Sequence, residues 1–333
     1  MVNKITKAWI RQFFLVLTRN RAKGFTLLEL LIAMAISGLV ISGLLYLVTE
    51  LLRIDNRETA LEEVQRDTRR AMNYIANDLR EAVYVYSTPT TITSTANTGV
   101  GSALPAGANP ILAFWRIQPI PESQMPGVCS TTFSGPANVD KKNTCDALKI
   151  RRAAYELVVY SQHSGATDPW RGQSRISRYS LSQYTDAANL VETSGYIDPG
   201  LQLNNFEGWE KDPTETLPTG GSAVLVDYID AVGVSSTPVQ CKDWIPGSED
   251  GEYFLSPPNA PEDSSFFACI RDTDSTAQQD LQLSRSNQDV YLFLRGDVSA
   301  RSSATSPASD ISRSPMLQTQ VLIRGVINKN PID

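Results

Sequence analysis

Few side chains in this sequence have a type and spacing that could do chemistry. The most pointed is Glu29, a carboxylate just past the small-residue junction Lys23-Gly24-Phe25 and followed by uncharged, mostly apolar residues from Leu30 through Thr49. Its chemistry would be ionic, because an anion at the edge of so apolar a run is costly unless a cation meets it. Four cysteines follow: Cys129, Cys145, Cys241 and Cys269. In an oxidising compartment an even count reads as disulfides, and four cysteines permit three pairings. Proximity favours Cys129–Cys145 and Cys241–Cys269, each closing a loop worth about 3 kcal/mol in the entropic account. Zinc is disfavoured, since no C-x-x-C spacing exists and His163 is the only histidine.

Other chemistries find less. There is no G-x-S-x-G elbow, and with His163 in a polar stretch no nucleophile–base pair emerges. No enzyme, catalytic residue, cofactor or metal site is therefore expected. The carboxylates of Glu249-Asp250-Gly251-Glu252 and of Asp272 and Asp274 could offer hard oxygens to Ca²⁺. Neither group has a recognised ligand spacing, and a solvated acidic turn is the simpler reading. Trp170, Trp209 and Trp244 lie in Gly-, Pro- and Asp-rich surroundings. There an indole either stacks on a sugar ring or anchors a loop over the core.

These groups need elements to position them. The run from Leu30 to Thr49 makes a helix of about 30 Å, enough to cross the hydrocarbon core of a bilayer. Residues 1–28 hold Lys4, Lys7, Arg11, Arg19, Arg21 and Lys23 and no acidic residue. That asymmetry keeps the N-terminal side in the cytoplasm. A secretory signal places its small-residue cleavage site after the apolar run; here Gly24 precedes it. A cut between Gly24 and Phe25 would free the Phe25 amine, keep the apolar helix and discard six positive charges. The chain has 30 basic and 36 acidic residues, so the remainder would carry 24 against 36, a net charge near −12. So acidic a chain is a poor generic partner for nucleic acid.

Gly-Phe-Thr-Leu-Leu-Glu followed by an apolar helix resembles the prepilin signature of type IV pilins and type II secretion pseudopilins. The resemblance implies that a prepilin peptidase cuts between Gly24 and Phe25 and that Phe25 is N-methylated. It also places Glu29 on the glutamate that such proteins keep near the mature N-terminus. In a filament that carboxylate could meet the Phe25 ammonium of a neighbouring subunit, a close pair offsetting the burial of both charges.

No proline occurs from Phe25 through Thr88, so the helix can continue beyond the apolar run. Leu61, Val64, Thr68, Ala71, Ile75, Leu79 and Ala82 step by three or four, a mostly apolar stripe. The charges between them, Asp78 included, read as a solvated face. Residues 87–110, rich in Ser, Thr, Pro and Gly, read as a surface loop. Strands are expected at 111–117, 155–160, 175–181, 223–229, 289–295 and 320–327, with the second and third forming a hairpin. The expected fold is α+β and pilin-like, a long N-terminal helix packed on an antiparallel β-sheet head. The expected divisions are a cleaved basic leader, 1–24; a transmembrane or filament-core helix, 25–52; the amphipathic half of that helix, 53–86; the loop, 87–110; and a β-rich head, 111–333.

The stretch Val64–Ala82 also resembles the helix of PilW-type minor pilins and J-type minor pseudopilins, in which an acidic-Leu-Arg-x-Ala segment precedes the first strand. The long head and its ending resemble pseudopilins of cyanobacterial hormogonium polysaccharide secretion. These resemblances imply a structural minor subunit of a pilus or pseudopilus, serving secretion, motility or filament initiation. The implied partners are the prepilin peptidase, other pilin or pseudopilin subunits, an inner-membrane assembly platform and, before assembly, membrane lipid. The implied location is the inner membrane, single-pass, with the head in the periplasm or outside. The rival expectation is a glycan-binding adhesin head displayed on the same helix.

Overall fold

The structure is a computed structural model that describes residues 25–93, 99–201, 206–215, 218, 220–231, 233–271, 288–298 and 315–323. It divides into two compact units, Met1–Asn56 and Arg57–Asp333. The prepilin-like leader, 1–24, lies outside the described residues.

Helix α1 runs Leu27–Arg80. In the first unit its residues are exposed from end to end. In the second unit the expected stripe is the buried one: Val64, Thr68, Ala71, Ile75 and Leu79 all face inward. The helix stops at Arg80 and not at 86, because Ala82–Val85 form strand β1 on the edge of a sheet. Ala82 and Val85 are buried in one cluster and Val83 in another, so the strand buries both faces, and the pairing irregularity between Ala82 and Tyr84 shifts the simple alternation.

The head holds two antiparallel sheets. The first has the order β1-β2-β3-β4-β7, with β2 at Ala108–Pro119, β3 at Ala153–Ser164, β4 at Ser174–Ser182 and β7 at Gly221–Ile229. The expected hairpin is β3–β4, in register from Glu156↔Ser182 to Ser164↔Ser174. The second sheet has the order β11-β10-β9-β8. Its strands are β8, Tyr253–Ser256; β9, Phe266–Arg271; β10, Gln288–Leu294; and β11, Leu317–Ile323. The last four positions of the expected strand 320–327 lie outside the described residues. A two-stranded ribbon pairs β5 (Tyr184–Asp186) with β6 (Val191–Glu192).

One apolar core joins the inner faces of both sheets to the helix. Met72, Ile75 and Leu79 meet Leu112, Phe114, Val158 and Ile176 from the first sheet and Phe266, Ile270, Leu292 and Val321 from the second. At one end, the Gln288 side-chain amide both donates to and accepts from the Val85 backbone, closing the outer edge of β1. At the other, Asp230 N donates to Arg295 O and Asp297 N to Tyr228 O. Between them sits Gly296, where an added Cβ would lie 2.5 Å from Val64 Cγ1. The helix passes too close for any side chain there.

Residues 87–110 depart from the expected surface loop. They contain a helical turn, α2 (Thr90–Thr93), a 3-10 turn at Gly101–Ala103 and the start of β2. Ile92 and Val100 are buried under the outer face of the first sheet, beside Trp115 and Tyr179. Two apolar side chains are enough to pin a polar segment there. The further helices are α3 (Cys129–Thr132), α4 (Val139–Arg151) and α5 (Cys241–Trp244).

Candidate functional site

Glu29 sits at the start of α1, and the geometry there is a reciprocal cap. Glu29 N donates to Thr26 Oγ1 at 3.3 Å, and Thr26 N donates to Glu29 Oε2 at 3.4 Å. Leu30 N donates to Thr26 O at 3.2 Å, the first turn of the helix. Threonine at the cap and glutamate three residues on satisfy two backbone donors that a helix start leaves open, with the anion at the positive end of the dipole. The sequence carried this signal as Thr26-x-x-Glu29, and reading Glu29 only for an outside partner missed it. Both residues are exposed, so the carboxylate keeps lone pairs for a cation from another molecule. Phe25 is exposed as well; Gly24 lies outside the described residues.

Downstream, Leu31, Met34, Leu39, Leu45 and Leu52 stand exposed on all sides of the helix. α1 is long and apolar enough to cross a membrane, with a mean hydropathy of 2.4 over its most apolar stretch. Ser37 and Ser42 return their hydroxyls to Ala33 O and Gly38 O, so neither leaves an unmet donor on that surface. Those are the small residues whose spacing permits close helix approach.

A second constellation sits where the same helix meets the head. Asp78 was expected on the solvated face; it is buried. Its Oδ2 accepts from Tyr160 Oη at 2.6 Å and from Arg178 Nε at 2.8 Å, and its Oδ1 from Arg116 Nη1 at 3.1 Å. Arg116 also meets Glu81 and buried Glu156, and Arg178 reaches Glu156 at 3.4 Å. Strand register builds the cluster, since Arg116 lies opposite Glu156 and Tyr160 opposite Arg178. Burial lowers the Arg178 pKa, but hydrogen bonding and charge from Asp78, with Glu156 behind, outweigh it and hold the guanidinium above its usual value. Burial, then the Asp78 charge, pushes Tyr160 well above the usual phenol range, so it stays a neutral donor. The acidic-Leu-Arg-x-Ala segment thus has a physical reason. Its acid, Asp78, ties the helix end to three strands, and Leu79 beside it fills the core.

The remaining candidates fall elsewhere. His163 is on β3, not in a loop; it is buried, with Nε2 2.6 Å from Ser177 Oγ. A serine–histidine contact therefore exists, but both residues are enclosed. Burial, with Arg175 nearby, lowers the imidazole pKa and keeps it neutral. Trp209 is buried and donates to Ile197 O; Trp244 packs edge-on against Phe267 and Phe293. Trp170 is half-buried and closes a turn with Thr167. The Trp209 and Trp244 indoles are loop anchors. In the acidic turn, Asp250 meets Lys242 at 2.8 Å and Glu252 meets Arg271 at 3.1 Å. Asp272 and Asp274 lie outside the described residues. The structure links Cys129 to Cys145 and Cys241 to Cys269, the latter tying α5 to the central strand β9. The first closes the excursion that carries α3 and α4.

The family described as the prokaryotic N-terminal methylation motif matches residues 19–45. No curated protein and no solved structure matches the chain. The matched stretch holds the basic flank, the Gly24-Phe25 junction, the Thr26–Glu29 cap and the first turns of the exposed apolar helix. Such a motif implies processing by a prepilin peptidase and assembly with other pilins. The chain carries a type IV pilin-like prepilin signal on an α+β protein whose long N-terminal helix leads into an antiparallel β head.

Proposed function

We propose that this chain is a minor pilin or pseudopilin, a structural subunit of a type IV pilus or of a type II secretion-like pseudopilus. A prepilin peptidase cuts between Gly24 and Phe25 and the new Phe25 amine is methylated. The apolar half of the helix is held in the inner membrane and then in the filament, with the head in the periplasm or outside. The observation that carries this reading is Glu29. It is a capped, exposed carboxylate at the start of an apolar helix, inside a matched methylation motif. It would pair with the Phe25 ammonium of an adjacent subunit, setting the register of assembly. The machine served would export a substrate, polysaccharide in the narrowest reading, or support motility or filament initiation.

Glu29→Ala tests it. The variant should be processed after Gly24 and should fail to enter filaments. Normal assembly of processed Glu29→Ala would remove the pairing from the account. Loss of filaments in a deletion strain, restored by the wild-type gene, would separate a structural subunit from a displayed glycan-binding head. Among the described residues the tryptophans are buried or half-buried, with Trp209 and Trp244 packed into the head, which gives the latter little support.

A further inference from the structure

One end of the first sheet opens into a cleft of about 560 Å³, within the range of small-molecule sites. Strand register explains its position. β2 and β3 stay paired as far as Pro119↔Ala153, but the β3–β4 ladder ends at Glu156↔Ser182. Two residues further on, Ala154 and Tyr184 would face each other; β5 pairs with β6 instead, and the sheet splits. Ala154 alternates with Glu156, Val158 and Tyr160 on the face that packs under α1. Asp78 and Glu81 reach Arg116, and the next row, Gln118 opposite Ala154, lies beyond the helix end as the floor of the cleft. One wall runs from Pro119 through the 3-10 turn Glu122–Gln124, and the other carries Thr185 and Asp186. Gln118, Ser123 and Gln124 line the cleft and make no side-chain hydrogen bond to any described residue. Thr185 Oγ1 donates to Val191 O at 3.2 Å and keeps its lone pairs. Asp186 is the one charged residue among the described lining, and Asn189 donates to both of its oxygens.

We infer that this cleft binds a neutral saccharide, one or two units of a hydroxyl-rich chain. A sugar presents adjacent hydroxyls that each donate and accept, and the free Gln118 and Gln124 amides and Ser123 hydroxyl do the same. The C–H faces of the ring need apolar surface, which Pro119, Pro121 and Ala154 supply. An anionic sugar or a phosphate would meet the Asp186 carboxylate and no Lys or Arg on the lining. No tryptophan takes part, so the site owes nothing to the indoles that anchor loops. The inference goes beyond the assembly role, which needs only the N-terminal helix, and gives the head of an assembled subunit a ligand of its own.

Saturation-transfer NMR on the full chain, held in a detergent without a sugar headgroup, tests it. The probes are cellobiose, maltose, lactose and mannobiose, with digalacturonate and a neutral Ser/Gly/Gln hexapeptide for comparison. At least one neutral disaccharide should bind, with a dissociation constant on the order of 1 mM, as suits a few hydrogen bonds in an open cleft. Gln118→Ala and Gln124→Ala should each weaken it by about fivefold, the worth of one hydrogen bond. Ser123→Trp, at an exposed position on the turn, should fill the cleft and abolish binding with the thermal midpoint unchanged. Glu29→Ala should bind as the wild type does, so a failure of assembly and a failure of this site are read apart. The inference is overturned if none of the four neutral disaccharides binds. It is equally overturned if binding survives both the double glutamine variant and Ser123→Trp, or if digalacturonate or the hexapeptide binds more tightly than every neutral sugar.

Discussion

The two halves of α1 are made of the same secondary structure and opposite surfaces. From Phe25 to Asn56 every residue is exposed, Leu, Ile and Val included. From Arg57 to Arg80 most apolar residues are buried, Tyr74 being exposed and Leu61 half-buried, and one acid, Asp78, is buried with them. Water punishes the first arrangement, since contiguous apolar surface of that extent marks a membrane or partner-facing segment. The second is ordinary globular amphipathicity. Substitutions in the two halves should therefore have separable consequences, in assembly for one and in folding for the other.

The sharpest break of that contrast is Asp78→Ala. It strips Arg116, Arg178 and Tyr160 of a shared acceptor inside the head, and one-sided loss of a buried ion pair costs about 3–5 kcal/mol. Denaturant unfolding monitored by tryptophan fluorescence reads it. An unchanged midpoint would mean that the cluster is solvated after all. Next comes a matched pair of truncations. Leu79→Ala should cost the head about 2–5 kcal/mol. Leu39→Ala, in the exposed segment, should leave head unfolding within about 0.5 kcal/mol of wild type and act only on membrane retention or assembly. Equal effects of the two would erase the distinction between the halves. Replacing Cys241 and Cys269 by Ala removes a link across 28 residues and should cost about 3 kcal/mol, read from the thermal midpoint under non-reducing conditions.

The smaller effects are a pH slope and a cap. His163 has a folded pKa below its unfolded value of about 6.5, through burial and then Arg175. The unfolded chain therefore binds more protons as the pH falls. The contribution is whole above the unfolded value and is lost as pH drops from there toward the folded one. Head stability should decline between pH 7 and pH 5, and His163→Gln should flatten part of that decline. Thr26→Ala removes one half of the helix-start cap and should weaken the first turn by about 1 kcal/mol, seen as faster amide exchange at residues 27–30 and nowhere in the head.

Much of this was legible in the sequence, and the misses have physical causes. The apolar run, the stripe from Val64 to Leu79 and the positions of β2, β3, β4, β7, β10 and β11 follow from pattern alone, whereas β1, β5, β6 and β8 were not foreseen. β9 was missed because Phe266-Phe267-Ala268-Cys269-Ile270 is apolar throughout. Both faces are buried, Phe266 and Ile270 in one cluster and Phe267 and Cys269 in another, so no alternation shows. α4 was missed because it buries little more than Cys145 and Leu148. Asp78 was misread because a helix sequence shows which residues are charged and not which strands bring arginines to meet them. His163 was misplaced for a related reason: its polar neighbours Ser161 and Gln162 belong to a strand end packed at the junction of the sheets.

The most direct measurement is the intact mass and N-terminal sequence of the protein isolated from its own cells. The account predicts a chain that begins at Phe25, carries one methyl group on that amine and lacks residues 1–24. A chain that still begins at Met1, with an unmodified Phe25 inside it, would contradict the account at its root.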